Sequence, residues 1–425
     1  MLNPHRPFPL LMLALLWTAA VEKASAAEIK VPQDKPSIQA ALEAAVAGDV
    51  VLVSAGVYRE RIRLKAGVSL RSAGGSQLNA DGVLARAAAT VIDGGGAEGE
   101  GPGVAMAEAC VLDGFTVTHV GLYDEQRWQQ HFDSRGEELG DDEGSVQAEG
   151  SSPAIQIAGV TCEVLHCVVH HNGDVGIGIL GRAGTKTAPL VAGNRVYRNM
   201  GGGIGAAEGA EPIIRGNRCS ENLRAGIGCR AANPLIIDNL CFQNVRAGIG
   251  CREGSRPVIR GNKCYQNRRA GIGIRMPGTA PTVVSNECYE NEMAGIGCRD
   301  GASPLVRGNV CRDNKLVAIG VTEGSNAVIV DNDLSRAGGV PPIVAVKDQS
   351  TAVIANNRIS GGGVAALLVQ GKATIQGNSF TSRQPKQGSA IWVWAQSTAA
   401  LSGNTVDGYS TAVKSDPQAQ VIESK

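Results

Sequence analysis

The chain has 425 residues, of which 56 are glycine, with 19% charged and only 4% aromatic residues. That composition argues against a helical bundle and for a structure dense in tight turns. Forty basic and forty acidic residues cancel, so overall charge draws the chain to no polyanion, nucleic acid included, and only a local asymmetry described below does.

The chain opens with His5 and Arg6, a mostly apolar run from Pro9 to Val21, and a small-x-small site at Ala24-Ser25-Ala26. The run is shorter than the roughly 20 residues a spanning helix needs, so residues 1–26 read as a signal peptide. The mature chain is expected in the periplasm or secreted. No cysteine follows the cleavage site and no later segment is apolar enough to span, so no membrane anchor is expected.

Residues 27–110 read as an N-terminal cap and the first coils of a repeat. Ile38, Ala41, Leu42 and Ala45 have helical spacing after Asp34-Lys35-Pro36-Ser37, which predicts a short helix over Ser37–Ala47. The stretch Gly48–Gly75 then reads as strands and turns.

Residues 111–337 carry the regular repeat. RAGIGCR stands at Arg224–Arg230 and again at Arg246–Arg252, followed by RAGIGIR at Arg269–Arg275 and MAGIGCR at Met293–Arg299. The isoleucines of GIG are Ile177, Ile204, Ile227, Ile249, Ile272, Ile296 and Ile319, and after the first step they recur every 22–24 residues. Prolines at 189, 212, 234, 257, 281 and 304 keep that step, as do asparagines at 194, 217, 239, 262, 286, 309 and 332 and a second set at 199, 222, 244, 267, 291 and 314. Within each unit apolar residues alternate with others, the mark of short strands with one inward face. Three such strands per unit, with bends at Gly, Asn and Pro and no hairpin signals, predict coils stacked strand on strand. The expected fold is all-β, a single-stranded right-handed parallel β-helix with a short N-terminal capping helix. Stacked asparagines can form a side-chain ladder, since each amide offers donor and acceptor. A non-repeating insertion at 123–151 holds nine acidic and two basic residues. Residues 338–425 are irregular C-terminal coils and a tail, in which Asn378 and Asn404 keep the ladder recognisable.

The P-h-h-x-G-N-x-C-x-x-N-x-x-A-G-I-G units resemble the repeats of pectin-lyase-like parallel β-helix proteins. The G-x-Y-x-E of Gly56–Glu60 is similar to the opening of pectin-esterase-like β-helices. The resemblance implies either a carbohydrate-active protein or a helper like the NosD-type periplasmic proteins linked to copper-enzyme maturation. It does not extend to catalytic motifs: no G-H-G, R-I-K, D-P-H-D or G-R-P-W is present. Fold alone assigns no activity.

Cysteines 219, 241, 264, 288 and 311 fall on one inward column. They read as buried free thiols filling space, with stacked disulfides or a soft-metal thiolate site as alternatives.

On the GIG strand, the positions three before, one before, one after and three after the isoleucine are expected to face outward. The first gives Arg224, Arg246 and Arg269, the last gives Arg230, Arg252, Arg275 and Arg299, and glycine lies between. Residues 215–315 hold 16 basic and 8 acidic side chains. A side-chain-free floor between guanidinium columns suits an elongated anion such as an acidic polysaccharide. The alternative is that arginine stems merely cover exposed glycine backbone. Trp392 and Trp394 fall further along the same face, where they either stack on sugar rings or cover the last coils.

Aligning Val111–Val120 with Val164–Gly173 puts His119 and His171 in one column. With Asp174 they are candidate catalytic acid–base residues, roofed by the acidic insertion. The alternative is a solvated polar column continuing through Arg198, Glu221 and Gln243. His119, His171 and Asp174 could instead hold a metal; zinc-finger, P-loop and Ser-His-Asp patterns are absent, and the cofactor is unknown. The expected function is binding of an acidic polysaccharide or other polyanion along the arginine face, with lyase- or epimerase-like turnover left open. The alternative is a non-enzymatic periplasmic helper or scaffold, metal-related in the NosD manner.

Overall fold

The computed structural model describes residues 26–79, 82–96, 99–135, 152–384 and 386–424. The expected signal peptide and most of the acidic insertion therefore lie outside the described residues. Three parallel sheets of sixteen, fourteen and fourteen strands run the length of the chain, each strand pairing with its counterpart one coil later. The result is a right-handed β-solenoid of about 16 turns, the hand that parallel crossover connections take.

One coil shows how the repeat folds. Leu235–Ile237 lies in the first sheet, Leu240–Phe242 in the second and Ile249–Arg252 in the third. Ile236, Cys241, Ile249 and Cys251 point inward and are buried. Between strands the chain turns through residues with positive φ, such as Asp238 at +54° and Gln243 at +54°.

The next residue at both corners is a buried asparagine. Asn239 Oδ1 accepts from Asn217 N at 2.9 Å and Asn217 Nδ2 at 3.0 Å, while its own Nδ2 donates to Ile214 O and Asn262 Oδ1, both at 2.9 Å. Every buried amide is thus satisfied by its neighbours above and below. This ladder runs from Asn194 through Asn357 and Asn378 to Asn404, and a second runs from Asn172 to Asn314. The C-terminal coils therefore keep full register, and Asn357 supplies the step that the irregular spacing of residues 338–425 conceals.

The eleven cysteines are free and buried. Cys219, Cys241, Cys264, Cys288 and Cys311 pair in register along the second sheet. Burial pushes the Cys298 thiol up to about 12, and in the stack the hydrogen bond of a neighbouring thiol, then burial, raises Cys219, Cys264 and Cys311.

The N-terminal end is plugged by Ile38–Ala44, shorter than expected at its C-terminal end. Ser37 caps it by accepting from Ala40 N. Glu60, the acid of the G-x-Y-x-E stretch, accepts from Ile38 N and Gln39 N, each at 3.0 Å. Ile38, Ala41, Leu42 and Ala45 close the core and shield the first strand edges.

Part of the insertion is helical. Glu125–Asp133 forms a helix capped by Asp124. Trp128 docks on Leu223 and Val245 and donates from Nε1 to Glu221 O at 3.1 Å. Arg198 stacks over Trp128 at 4.0 Å and pairs with Glu125 at 2.8 Å, while Arg135 reaches Glu292 at 3.2 Å. The helix therefore lies lengthwise across several coils, just outside the turn that leads into the third sheet.

Candidate functional site

The third sheet carries a groove of about 690 Å³ on its outer face. Its floor follows from register. Gly178, Gly205, Gly228, Gly250, Gly273, Gly297 and Gly320, each one residue after the isoleucine, pair successively across the coils. Beside them, two residues before the isoleucine, Ala225, Ala247, Ala270 and Ala294 also line the groove.

This corrects the sequence-based floor. The glycines one before the isoleucine do not face outward: Gly226 is buried, and a Cβ there would meet Asn244 Nδ2 and Gly248 O at 2.8 Å. Those glycines are required by close packing against the asparagine ladder. The floor glycines are not so required. A Cβ on Gly228 would meet nothing within 4 Å, and on Gly250 or Gly273 only an alanine methyl at 3.6 or 3.5 Å. The flat floor is thus looser than coil packing demands.

Both predicted arginine columns border it. Arg224, Arg246 and Arg269 stack through backbone bonds from Arg246 N to Arg224 O and from Arg269 N to Arg246 O. On the opposite bank Arg230 pairs with Arg252 and Arg275 with Arg299. All seven line the groove. Arg246 is buried, at 3% exposure. Outboard acids hold the second bank loosely: Arg230 lies 3.8 Å from both Glu208 and Glu253, and Arg252 lies 3.4 Å from Glu253. Exposed pairs of this kind contribute roughly 0–1 kcal/mol, so an arriving anion can displace them.

The predicted acid–base trio is divided. Asp174 lines the groove and is 8% exposed, whereas neither histidine lines it. His119 Nδ1 lies 3.2 Å from Asp93 Oδ2. His171 Nδ1 sits 2.7 Å from His170 Nδ1, and its ring meets Tyr123 at 4.8 Å. Burial, then the charge of Arg198, holds His171 below the ordinary imidazole range, and burial takes His170 down to about 4. The histidine column is a corner of the coil: His119, His171, Arg198, Glu221 and Gln243 all have φ between +51° and +54°. It continues as the polar column that was the alternative reading.

Trp392 follows the floor column, Leu368 pairing with Trp392 and Trp392 with Lys414, and Trp394 the column of the second bank, but neither lines the groove. Lys414 Nζ sits 3.6 Å over the Trp392 ring and Asp416 accepts from its Nε1 at 2.9 Å, so that ring is engaged within the last coils.

Sequence reasoning missed the alanine column and the docked helix. Asp124 as cap with Trp128 and Phe132 four residues apart was an available signal for the second. Among the described residues no cluster of three metal-ligating side chains occurs, and no helix is long and apolar enough to cross a membrane.

Fold and site together define a parallel β-helix bearing a lateral, arginine-walled groove. A profile of the right-handed β-helix region matches residues 153–287 and 273–406, more than half of the chain, which therefore belongs to that family. No curated protein sequence matches it. Among solved structures, the A-module of mannuronan C-5 epimerase AlgE6 from Azotobacter vinelandii is 16% identical with a TM-score of 0.50, over 91% of this chain and 94% of that one. The AlgE4 A-module of the same organism is 16% identical with a TM-score of 0.47, over 91% and 95%. The Agl-KA catalytic domain is 13% identical with a TM-score of 0.45, over 93% of this chain and 68% of that one. At such identities the likeness is one of fold.

Proposed function

We propose that the groove binds a linear acidic polysaccharide lying along the solenoid axis. The observation that carries this reading is the combination of guanidinium columns on both banks with a glycine floor that leaves room for side chains it does not have. Arginines recur about every 4.8 Å along each bank, a spacing suited to a chain bearing repeated carboxylates or sulfates. Guanidinium forks recognise such groups bidentately, and the methyl and methylene floor accepts the flat apolar face of a sugar ring. The function proposed is recognition, since neither His119 nor His171 lines the groove.

The test is a binding screen of acidic against neutral polysaccharides, with the R230A/R252A/R275A triple variant alongside. Each exchanged pair contributes about 1 kcal/mol, so the variant should lose roughly 100-fold in affinity for an acidic chain. Equal binding by the variant, or no preference for acidic chains, would overturn the reading.

A further inference from the structure

In the regular coils a proline stands just before the first-sheet strand: Pro189, Pro212, Pro234, Pro257, Pro281 and Pro304. At the start of the coil that carries the acidic insertion, and of the coil after it, this place is taken by Cys110 and Cys162. Val111 pairs in register with Glu163, and Glu163 N donates to Cys110 O at 3.0 Å. The two cysteines are thus stacked one coil apart, with Cα atoms about 4.8 Å from each other, a separation that a disulfide bridges. Each thiol lies within hydrogen-bonding reach of the other. Their column holds no adjacent third sulfur, since Val68 precedes Cys110 and Pro189 follows Cys162.

The other stacked thiols are held differently. Cys229 and Cys251, and the column from Cys219 to Cys311, sit within strands. Side chains directly opposite on parallel strands run side by side, which keeps their Cβ atoms near the strand spacing of about 4.8 Å. A disulfide needs them closer, at about 3.8 Å. Cys110 and Cys162 lie just outside their strands, where the backbone can give. Ala109, at φ +53°, turns the chain immediately before Cys110, and Ala107 N donates to Cys110 Sγ at 3.3 Å. That local bond supports a thiolate on Cys110 and needs no neighbouring coil.

We infer that Cys110 and Cys162 form a disulfide that closes the coil carrying the insertion. Both are buried, at 0% and 4% exposure, so the bond forms while these coils assemble and is shielded afterwards. The Cys110 thiolate attacks one sulfur of an external low-molecular-weight disulfide and expels a thiolate, which takes up the proton of Cys162. Cys162 then attacks the Cys110 sulfur of the mixed disulfide and expels the second thiolate, which takes up the proton that Cys110 gave to solvent. The external disulfide is reduced by the two electrons that the new bond releases. The staple closes residues 111–161 into a loop that the unfolded chain must keep. It also anchors Ile155–Ala158, the strand whose Gln156 lines the groove.

The experiment uses the full chain produced in an oxidising compartment. It is denatured in an alkylating reagent that traps free thiols, digested without reductant and mapped by mass spectrometry. A peptide pair joined through Cys110 and Cys162 is expected, with Cys229 and Cys251 alkylated. Recovery of Cys110 and Cys162 as alkylated thiols, or joined to other cysteines, would overturn the inference without any variant. Equal cross-linking of Cys229 to Cys251 would overturn it as well, because strand-held thiols would then react as readily. Production in an oxidising and not a reducing compartment should raise the urea midpoint of the wild-type protein. It should also slow hydrogen exchange at Ile155–Ala158 at least about tenfold. Neither change should occur in C110S/C162S, and changes of the same size in that variant would place the staple elsewhere.

Discussion

Gly226 and Gly228 occupy the same strand entry two residues apart, and both have ordinary backbone angles, yet their surroundings predict opposite responses to alanine. A methyl on Gly226 would press on Gly248 O and Asn244 Nδ2 at 2.8 Å and on Cys219 Cβ at 3.2 Å. Asn244 Nδ2 donates to Cys219 O and Asn267 Oδ1, each at 3.1 Å, so relieving the contact disturbs a buried ladder bond. Overpacking costs about 1–3 kcal/mol and a weakened buried hydrogen bond about 1 kcal/mol more, giving roughly 3 kcal/mol for Gly226→Ala. A methyl on Gly228 meets only open groove. Gly228→Ala restricts the unfolded chain and should stabilise by about 0.5 kcal/mol. Urea unfolding followed by circular dichroism, with hydrogen exchange of the surrounding coils, measures both. Equal destabilisation by the two variants would refute the division of these glycines into packed and open columns.

Asn239→Ala removes the acceptor for two Asn217 donors and the donor to Ile214 O. At about 1–3 kcal/mol per stranded group the loss should be roughly 3–5 kcal/mol in urea unfolding, and a loss under 1 kcal/mol would contradict the ladder's role. Trp128→Ala should raise hydrogen exchange across Glu125–Asp133 while leaving the asparagine ladder protected, because the ring supplies the helix's buried anchor; unchanged exchange in the helix would show that other contacts hold it. For His170, burial depresses the folded pKa from 6.5 to about 4. Above the upper value both states are neutral. Below it the unfolded chain takes up a proton that the folded chain refuses, so stability falls as pH drops through this window, by at most about 3 kcal/mol. His170→Gln should flatten that part of the profile, and an unaltered slope would assign it to other groups.

Much of the fold was legible because a solenoid writes each structural need once per coil. The columns of proline, asparagine, cysteine and isoleucine mark the turns, ladders and inward faces directly. The arginine columns were legible for the same reason. Alternation, however, was extended one residue too far: the strand begins at the isoleucine, so the preceding glycine belongs to the turn and faces the ladder. The histidines were correctly stacked with each other, but Asn172 turns the chain between His171 and Asp174, sending the acid to the groove and leaving the imidazoles on the corner. The contact of Pro153 with Gly178 was illegible because Pro153 follows a non-repeating insertion, where no column predicts what lies over that glycine.

The most direct measurement of the central claim fills the floor without touching an arginine. Gly250→Leu with Gly273→Leu places two side chains where a Cβ meets only alanine methyls at 3.6 and 3.5 Å, so the solenoid should remain as stable as before to within about 1 kcal/mol. Titrated with an acidic polysaccharide, this variant should lose at least about tenfold in affinity, or 1.4 kcal/mol, relative to the unaltered chain. Undiminished affinity in a folded variant would place the ligand elsewhere and contradict a groove whose floor is kept bare for it.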